Sequence, residues 1–119
     1  MLTLPPSTRV FVATRPADMR RSFDGLLSLV RDFLGDDPFS GHLFVFPNRK
    51  GDRLKILWWD RDGLAIWYKR LEAGRFSFPS SGSDKAKLEM SVTDLQLVLQ
   101  GIDPLKVKRA RRYQRPLPA

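Results

Sequence analysis

Three β-prone runs follow one another at hairpin spacing in the middle of this chain, Leu43 to Phe46, Leu54 to Trp59 and Leu64 to Arg70. The links between them, Asn48 to Asp52 and Arg61-Asp62-Gly63, are polar, contain glycine and have the length of hairpin loops. Such spacing predicts an antiparallel meander. A sheet of this kind is stable only when a face is covered, so the flanking segments must supply the cover.

Upstream, Arg9 to Thr14 reads as a short first strand that Pro16 stops. From Asp18 to Leu34 the apolar positions Met19, Phe23, Leu26, Leu27, Val30, Phe33 and Leu34 recur at spacings of three and four, which predicts one helix capped by Asp18 and ended by Gly35. Gly25 inside it costs about 1 kcal/mol relative to alanine, and close packing on the sheet is the expected compensation. Downstream, Phe76-Ser77-Phe78 and Lys87-Leu88-Glu89 read as short strands on either side of a flexible Pro79 to Ser83 loop. Ser91-Val92-Thr93-Asp94 resembles a capping box and opens a helix through Leu95, Val98, Leu99 and Ile102. Asp103-Pro104 is suited to restart a short helix. The expected fold is α+β, a single domain over residues 1–104 with a mostly antiparallel sheet whose β-meander packs against two helices on a face. Residues 105–119 form a basic tail, mobile until it meets a partner.

Charge is distributed unevenly along the chain. Leu105 to Arg115 holds Lys106, Lys108, Arg109, Arg111, Arg112 and Arg115 without one acid, against a net charge of +8 for all 119 residues. A near-neutral body with a cationic appendage points to a polyanion, nucleic acid above all. The run has no amphipathic stripe for a membrane surface. No apolar stretch approaches the roughly 18 residues needed to span a bilayer, and the proline-broken start does not resemble a signal peptide. The absence of cysteine excludes disulfides and thiolate metal sites and fits a reducing cytoplasm, and a single histidine excludes a histidine-rich metal centre.

Catalytic chemistry finds little footing. Asp18, Asp24, Asp60 and Asp62 are the carboxylates a metal-dependent nuclease could use, but Asp18 fits a helix cap, Asp24 a helix surface, and Asp60 and Asp62 a turn. His42 has no recognisable nucleophile beside it and leads into a strand, while Gly74 and Gly82 are isolated and form no phosphate-cradling loop. No cofactor or small-molecule substrate is expected. The meander offers more. Alternation places Arg53, Lys55, Leu57 and Trp59 on one face of their strand and Leu54, Ile56, Trp58 and Asp60 on the other, and Ala65, Trp67 and Lys69 share a face of the next. If the Lys55 and Lys69 faces coincide, Trp59 and Trp67 lie among cations in the manner of nucleic-acid stacking surfaces. Two alternatives stand beside this one: a core tryptophan with a second covering a hydrophobic edge, or an aromatic docking site for another protein.

The run Asp37-Pro38-Phe39-Ser40-Gly41-His42-Leu43-Phe44-Val45-Phe46, then Arg49-Lys50-Gly51-Asp52-Arg53-Leu54-Lys55-Ile56-Leu57-Trp58-Trp59-Asp60 and Gly63-Leu64, resembles the accessory Orf2 (TnpB) proteins of the insertion sequence 66 family of bacterial transposons. Those proteins are unrelated to the RNA-guided nucleases that share the TnpB name. Further blocks agree in order: Asp18-Met19-Arg20, Ser22-Phe23-Asp24-Gly25-Leu26, Lys69-Arg70-Leu71-Glu72, Gly74-Arg75-Phe76 and Leu99-Gln100-Gly101-Ile102-Asp103. The resemblance covers about Arg9 to Asp103 and leaves the tail out. It implies a small bacterial protein, cytoplasmic and nucleoid-associated when bound to DNA, that serves a transposase without catalytic residues of its own. The expected function is a non-enzymatic accessory role in DNA transposition, binding DNA and assisting the cognate transposase. A protein-interaction adaptor without significant DNA binding is the alternative. Candidate nucleic-acid contacts are Lys106, Lys108, Arg109, Arg111, Arg112 and Arg115 in the tail, with Arg53, Lys55, Lys69, Trp59 and Trp67 in the meander.

Overall fold

The computed structural model describes residues 4–79 and 85–107. Its elements in chain order are β1 (Val10–Ala13), α1 (Phe23–Ser28) continuing into a π-helical segment (Leu29–Leu34), β2 (Leu43–Pro47), β3 (Arg53–Asp60), β4 (Gly63–Arg70), β5 (Lys87–Met90) and α2 (Val92–Leu99). The expected meander is present, with β2 to β4 joined by antiparallel pairs. The chain then adds β1 parallel to β2 and β5 antiparallel to β1, giving the order β4-β3-β2-β1-β5. A parallel pair needs a long crossover, and the helical segment between β1 and β2 provides it.

The two helices lie on opposite faces of the sheet, not together on one. Leu95, Val98 and Leu99 of α2 join Val10, Val12, Leu43, Val45, Leu54, Ile56 and Trp58 in one cluster, to which Phe76 also belongs. Leu26, Val30 and Leu34 join Phe11, Ala13, Phe44, Phe46 and Leu57 in the other. Central strands of such a three-layer arrangement are apolar on both sides, which is why β1 is buried at every position and β2 at all but Pro47.

The first helix departs from the periodic reading at both ends. Residues 18–21 form a turn instead of a helical start: the Asp18 carboxylate accepts the backbone N–H of Arg20 at 2.9 Å and binds its guanidinium, so it does not cap α1. Beyond Ser28 the coil widens to π geometry, in which each residue advances less around the axis than in an α-helix. The accumulated lag carries Phe33 off the apolar stripe to 47% exposure and brings Leu34 onto it at 7%. Gly35, with φ of 67°, ends the segment as expected. Gly25 is not a point of close approach to the sheet, because the nearest group an added Cβ would meet is the side chain of Arg21, at 3.2 Å.

Lys87–Met90 is a strand as read, whereas Phe76 to Phe78 is not. Phe76 is buried, and its N–H donates to Gly51 O at 2.8 Å, a contact with the β2–β3 turn that belongs to no ladder. Residues 80–83 of the expected loop lie outside the described residues. Ser91 caps α2 by accepting the Asp94 N–H at 3.0 Å. Asp103 likewise accepts the Leu105 N–H at 2.9 Å and opens a helical turn over residues 104–107 that contains the expected domain boundary.

Candidate nucleic-acid interface

The register between β3 and β4 determines which meander residues come together. Ile56 faces Trp67, Leu54 faces Lys69, and Lys55 faces Tyr68. Directly opposed residues share a face, so Trp67 and Lys69 lie on the α2 side and Lys55 and Trp59 on the α1 side. The mixed cation–tryptophan platform is therefore not assembled. Trp67 packs against the α2-side cluster, and Trp59 meets Phe39 edge to face with ring centroids 5.3 Å apart.

Lys55 and Lys69 are engaged by the fold. The Lys55 ammonium donates to Met19 O at 2.7 Å and Arg21 O at 2.8 Å and stands 4.9 Å from the Tyr68 ring centroid, and the residue is 9% exposed. Its face was expected to be cationic and exposed, yet Leu57 beside it is fully buried. Lys69 donates at 2.7 Å to Leu99 O, the last residue of α2. Helices leave their final carbonyls without partners, and a cation is the favoured group there.

Arg53 belongs to a different environment, the end of the sheet built around the β2–β3 turn. The Asn48 side chain accepts the Arg53 N–H at 3.0 Å and donates to Asp52 at 2.8 Å, while Gly51 takes a φ of 76° that other residues adopt only with strain. The chain after β4 folds back onto this turn: Leu71 N–H donates to Asp52 O at 2.7 Å, beside the Phe76 bond to Gly51. The β2–β3 turn and the β3–β4 ladder put Arg49, Lys50, Arg53 and Arg70 at one end of the sheet, and the double brace adds Arg75. Arg70 lies directly opposite Arg53 across the ladder, and the stem of Arg75 lies over Gly51. Nothing in the spacing of Arg75 announces that it joins them, because its place depends on the return of residues 71–76. The Asn48 hydrogen bond holds the Asp52 carboxyl below its ordinary value, so it is ionised among these cations. Lys106 is exposed in the turn after α2, and Lys108, Arg109, Arg111, Arg112 and Arg115 lie outside the described residues.

The carboxylates considered for catalysis hold local structural positions. Asp60 and Asp62 flank the tight β3–β4 turn, where Arg61 has φ of 60°, and Asp18 is held by Arg20. Among the described residues no three His, Cys, Asp or Glu side chains come together to hold a metal ion. His42 accepts the Arg9 N–H through Nδ1 at 3.0 Å and meets Phe11 edge-on, which makes it a brace at the start of β2. Among the described residues no helix is long and apolar enough to cross a membrane.

Fold and charge together define a small three-layer α+β domain with a cationic end. The chain belongs to the IS66 Orf2-like family, whose model matches residues 8–109. It is 43% identical over 101 residues to the uncharacterized protein y4jC of Sinorhizobium fredii (strain NBRC 101917 / NGR234), covering 85% of each chain. It is 39% identical over 103 residues to y4hO of the same strain, covering 87% of this chain and 88% of the relative. No solved structure matches it significantly. Membership associates the protein with transposition of insertion sequences of this kind, in an accessory role.

Proposed function

We propose that this protein is a non-enzymatic accessory factor of DNA transposition that binds DNA and helps recruit or assemble the element's transposase. The observation that carries the reading is the run from Leu105 to Arg115, six cations without an acid, joined to a domain of a transposition-associated family. Cations of this density displace counterions from a nucleic-acid backbone, and contacts to phosphates carry no sequence information directly. Lys106, Lys108, Arg109, Arg111, Arg112 and Arg115 are the contacts, with Arg53 supporting them from the sheet. No cofactor or small-molecule substrate takes part.

Deleting residues 108–119 tests this, since it removes five of the six cations and leaves the capped turn at Asp103 in place. The melting temperature should hold, and the slope of log affinity against log salt on duplex DNA should flatten by about 0.9 for each phosphate that is no longer neutralised. Affinity should fall equally on transposon-end and scrambled duplexes. Unchanged affinity and slope would reject the tail as the DNA-binding segment.

An adaptor reading draws on one feature, the Phe39–Trp59 pair, in which Phe39 is 45% exposed. An aromatic pair of this kind suits a protein partner. Under that reading, Phe39→Ala abolishes capture of the transposase from nuclease-treated extract and leaves DNA affinity unchanged.

A further inference from the structure

We propose that the braced end of the sheet, formed by Arg49, Lys50, Arg53, Arg70 and Arg75, is a second and preformed phosphate-binding surface for duplex DNA. The proposal rests on the DNA-binding reading above and gives the folded domain its own contact, separate from the tail.

The two ends of β3 differ in charge. Its turns lie about 24 Å apart at the rise of an antiparallel strand. The turn before it carries Arg49 and Lys50, whereas the turn after it is Asp60-Arg61-Asp62. A duplex would be attracted to the first end and repelled from the second, so the charge layout orients the domain before contact.

At the cationic end, Arg53 and Arg70 are direct cross-strand partners, and like charges so placed weaken a sheet. Glu72, bound to Arg70 at 2.9 Å, and Asp52, bound by Asn48, offset part of this charge. A polyanion laid across this end would relieve the repulsion.

The same end is rigid. Asn48, Gly51 and the two backbone bonds from residues 71 and 76 fix the turn, so Arg49 and Lys50 project from a set backbone that needs no ordering on binding. The Lys69 bond to Leu99 O places the C-terminal end of α2 near this end of β4, so the chain sets out toward its cationic run from the same side. A duplex could then engage both.

The experiment uses the full-length protein, a labelled duplex and a salt series. The variants are Arg49→Gln/Lys50→Gln, whose side chains are exposed, and the same pair with Arg75→Ala, each followed by a thermal melt. Because Arg75 lies over Gly51, the double variant carries the test if the triple variant loses stability. The slope should fall by about 1.8 in the double and about 2.7 in the triple variant, the latter being about 40-fold less loss of affinity between 50 and 200 mM salt. Deleting residues 108–119 in the double variant should flatten the slope further. Wild-type affinity and slope in both variants, with salt dependence removed by the tail deletion alone, would overturn the second surface and leave the DNA-binding reading intact. Variants that bind DNA normally but lose transposase capture would overturn it in favour of a protein contact. A wild-type protein with no affinity for duplex at 50 mM salt would overturn both readings.

Discussion

Lys55→Met removes the ammonium while keeping an unbranched side chain of similar length, so it tests the two hydrogen bonds by which β3 holds residues 19–21, together with the ammonium's contact with the Tyr68 ring. Those residues lead into α1, and the bonds run from a cation 9% exposed to carbonyls of Met19 and Arg21. Hydrogen bonds from a charged donor contribute about 1.5 to 3 kcal/mol each. Two opposing terms reduce the sum: a buried lysine costs desolvation that methionine avoids, and the backbone at exposed Arg21 regains water when released. A net loss of about 2 to 4 kcal/mol is expected. For a domain of this size that lowers the melting temperature by about 8 to 15 °C. Urea unfolding followed by circular dichroism measures the loss, and duplex affinity below the melt should keep its wild-type salt slope because the ammonium is already occupied. Stability within about 0.5 kcal/mol of wild type, or a slope reduced by the equivalent of one phosphate, would show that Lys55 serves the surface and that its bonds to the backbone carry no weight.

Three further outcomes follow from the same geometry. Trp58→Ala should cost about 3 to 5 kcal/mol in urea unfolding, since Trp58 is 8% exposed within the α2-side cluster. Lys69→Met should fray the end of α2, read as faster hydrogen exchange at the amides of Gln100 and Gly101, which donate to Leu97 and Val98 in the last turn. On acidification the Arg20 hydrogen bonds keep the Asp18 carboxyl at about 2 against an ordinary 3.8, and Arg9 holds Glu89 below 4.5. Folded values below unfolded ones mean stability that is complete above about pH 5 and is lost progressively as pH falls through 4 toward 2, so the melting temperature should be level from pH 5 to 7 and decline below, less steeply in Asp18→Asn.

The meander was legible because its information is local. Strand alternation, glycine-bearing links and the Ser91 cap each lie within a few residues and each appears where the pattern places it. What the sequence concealed was the second buried face. Lys55 and Lys69 interrupt apolar runs and read as exposed positions, whereas both use their stems to cross an apolar layer and end on helix or turn carbonyls. A single lysine in a strand does not reveal whether a carbonyl waits at its tip. Phe33 failed for another reason: periodicity assumes a constant turn angle, and the π segment breaks it.

These placements divide the cations of the folded domain by their task, and the division changes what the net charge of +8 means. Lys55 and Lys69 are bound by backbone oxygens, and Arg9 and Arg20 are held by carboxylates. Such groups contribute long-range field but cannot approach a phosphate without giving up a partner. Arg49 and Lys50 are exposed on a turn whose backbone bonds are already satisfied, so contact with a phosphate costs them little more than water. A count of basic residues treats all of these alike. A salt slope does not, because it registers only the charges that displace counterions at the backbone. The number of phosphates this domain contacts should therefore follow from the few cations the fold leaves unoccupied, together with those of the run after Leu105, and fall well short of the total of 21 lysines and arginines.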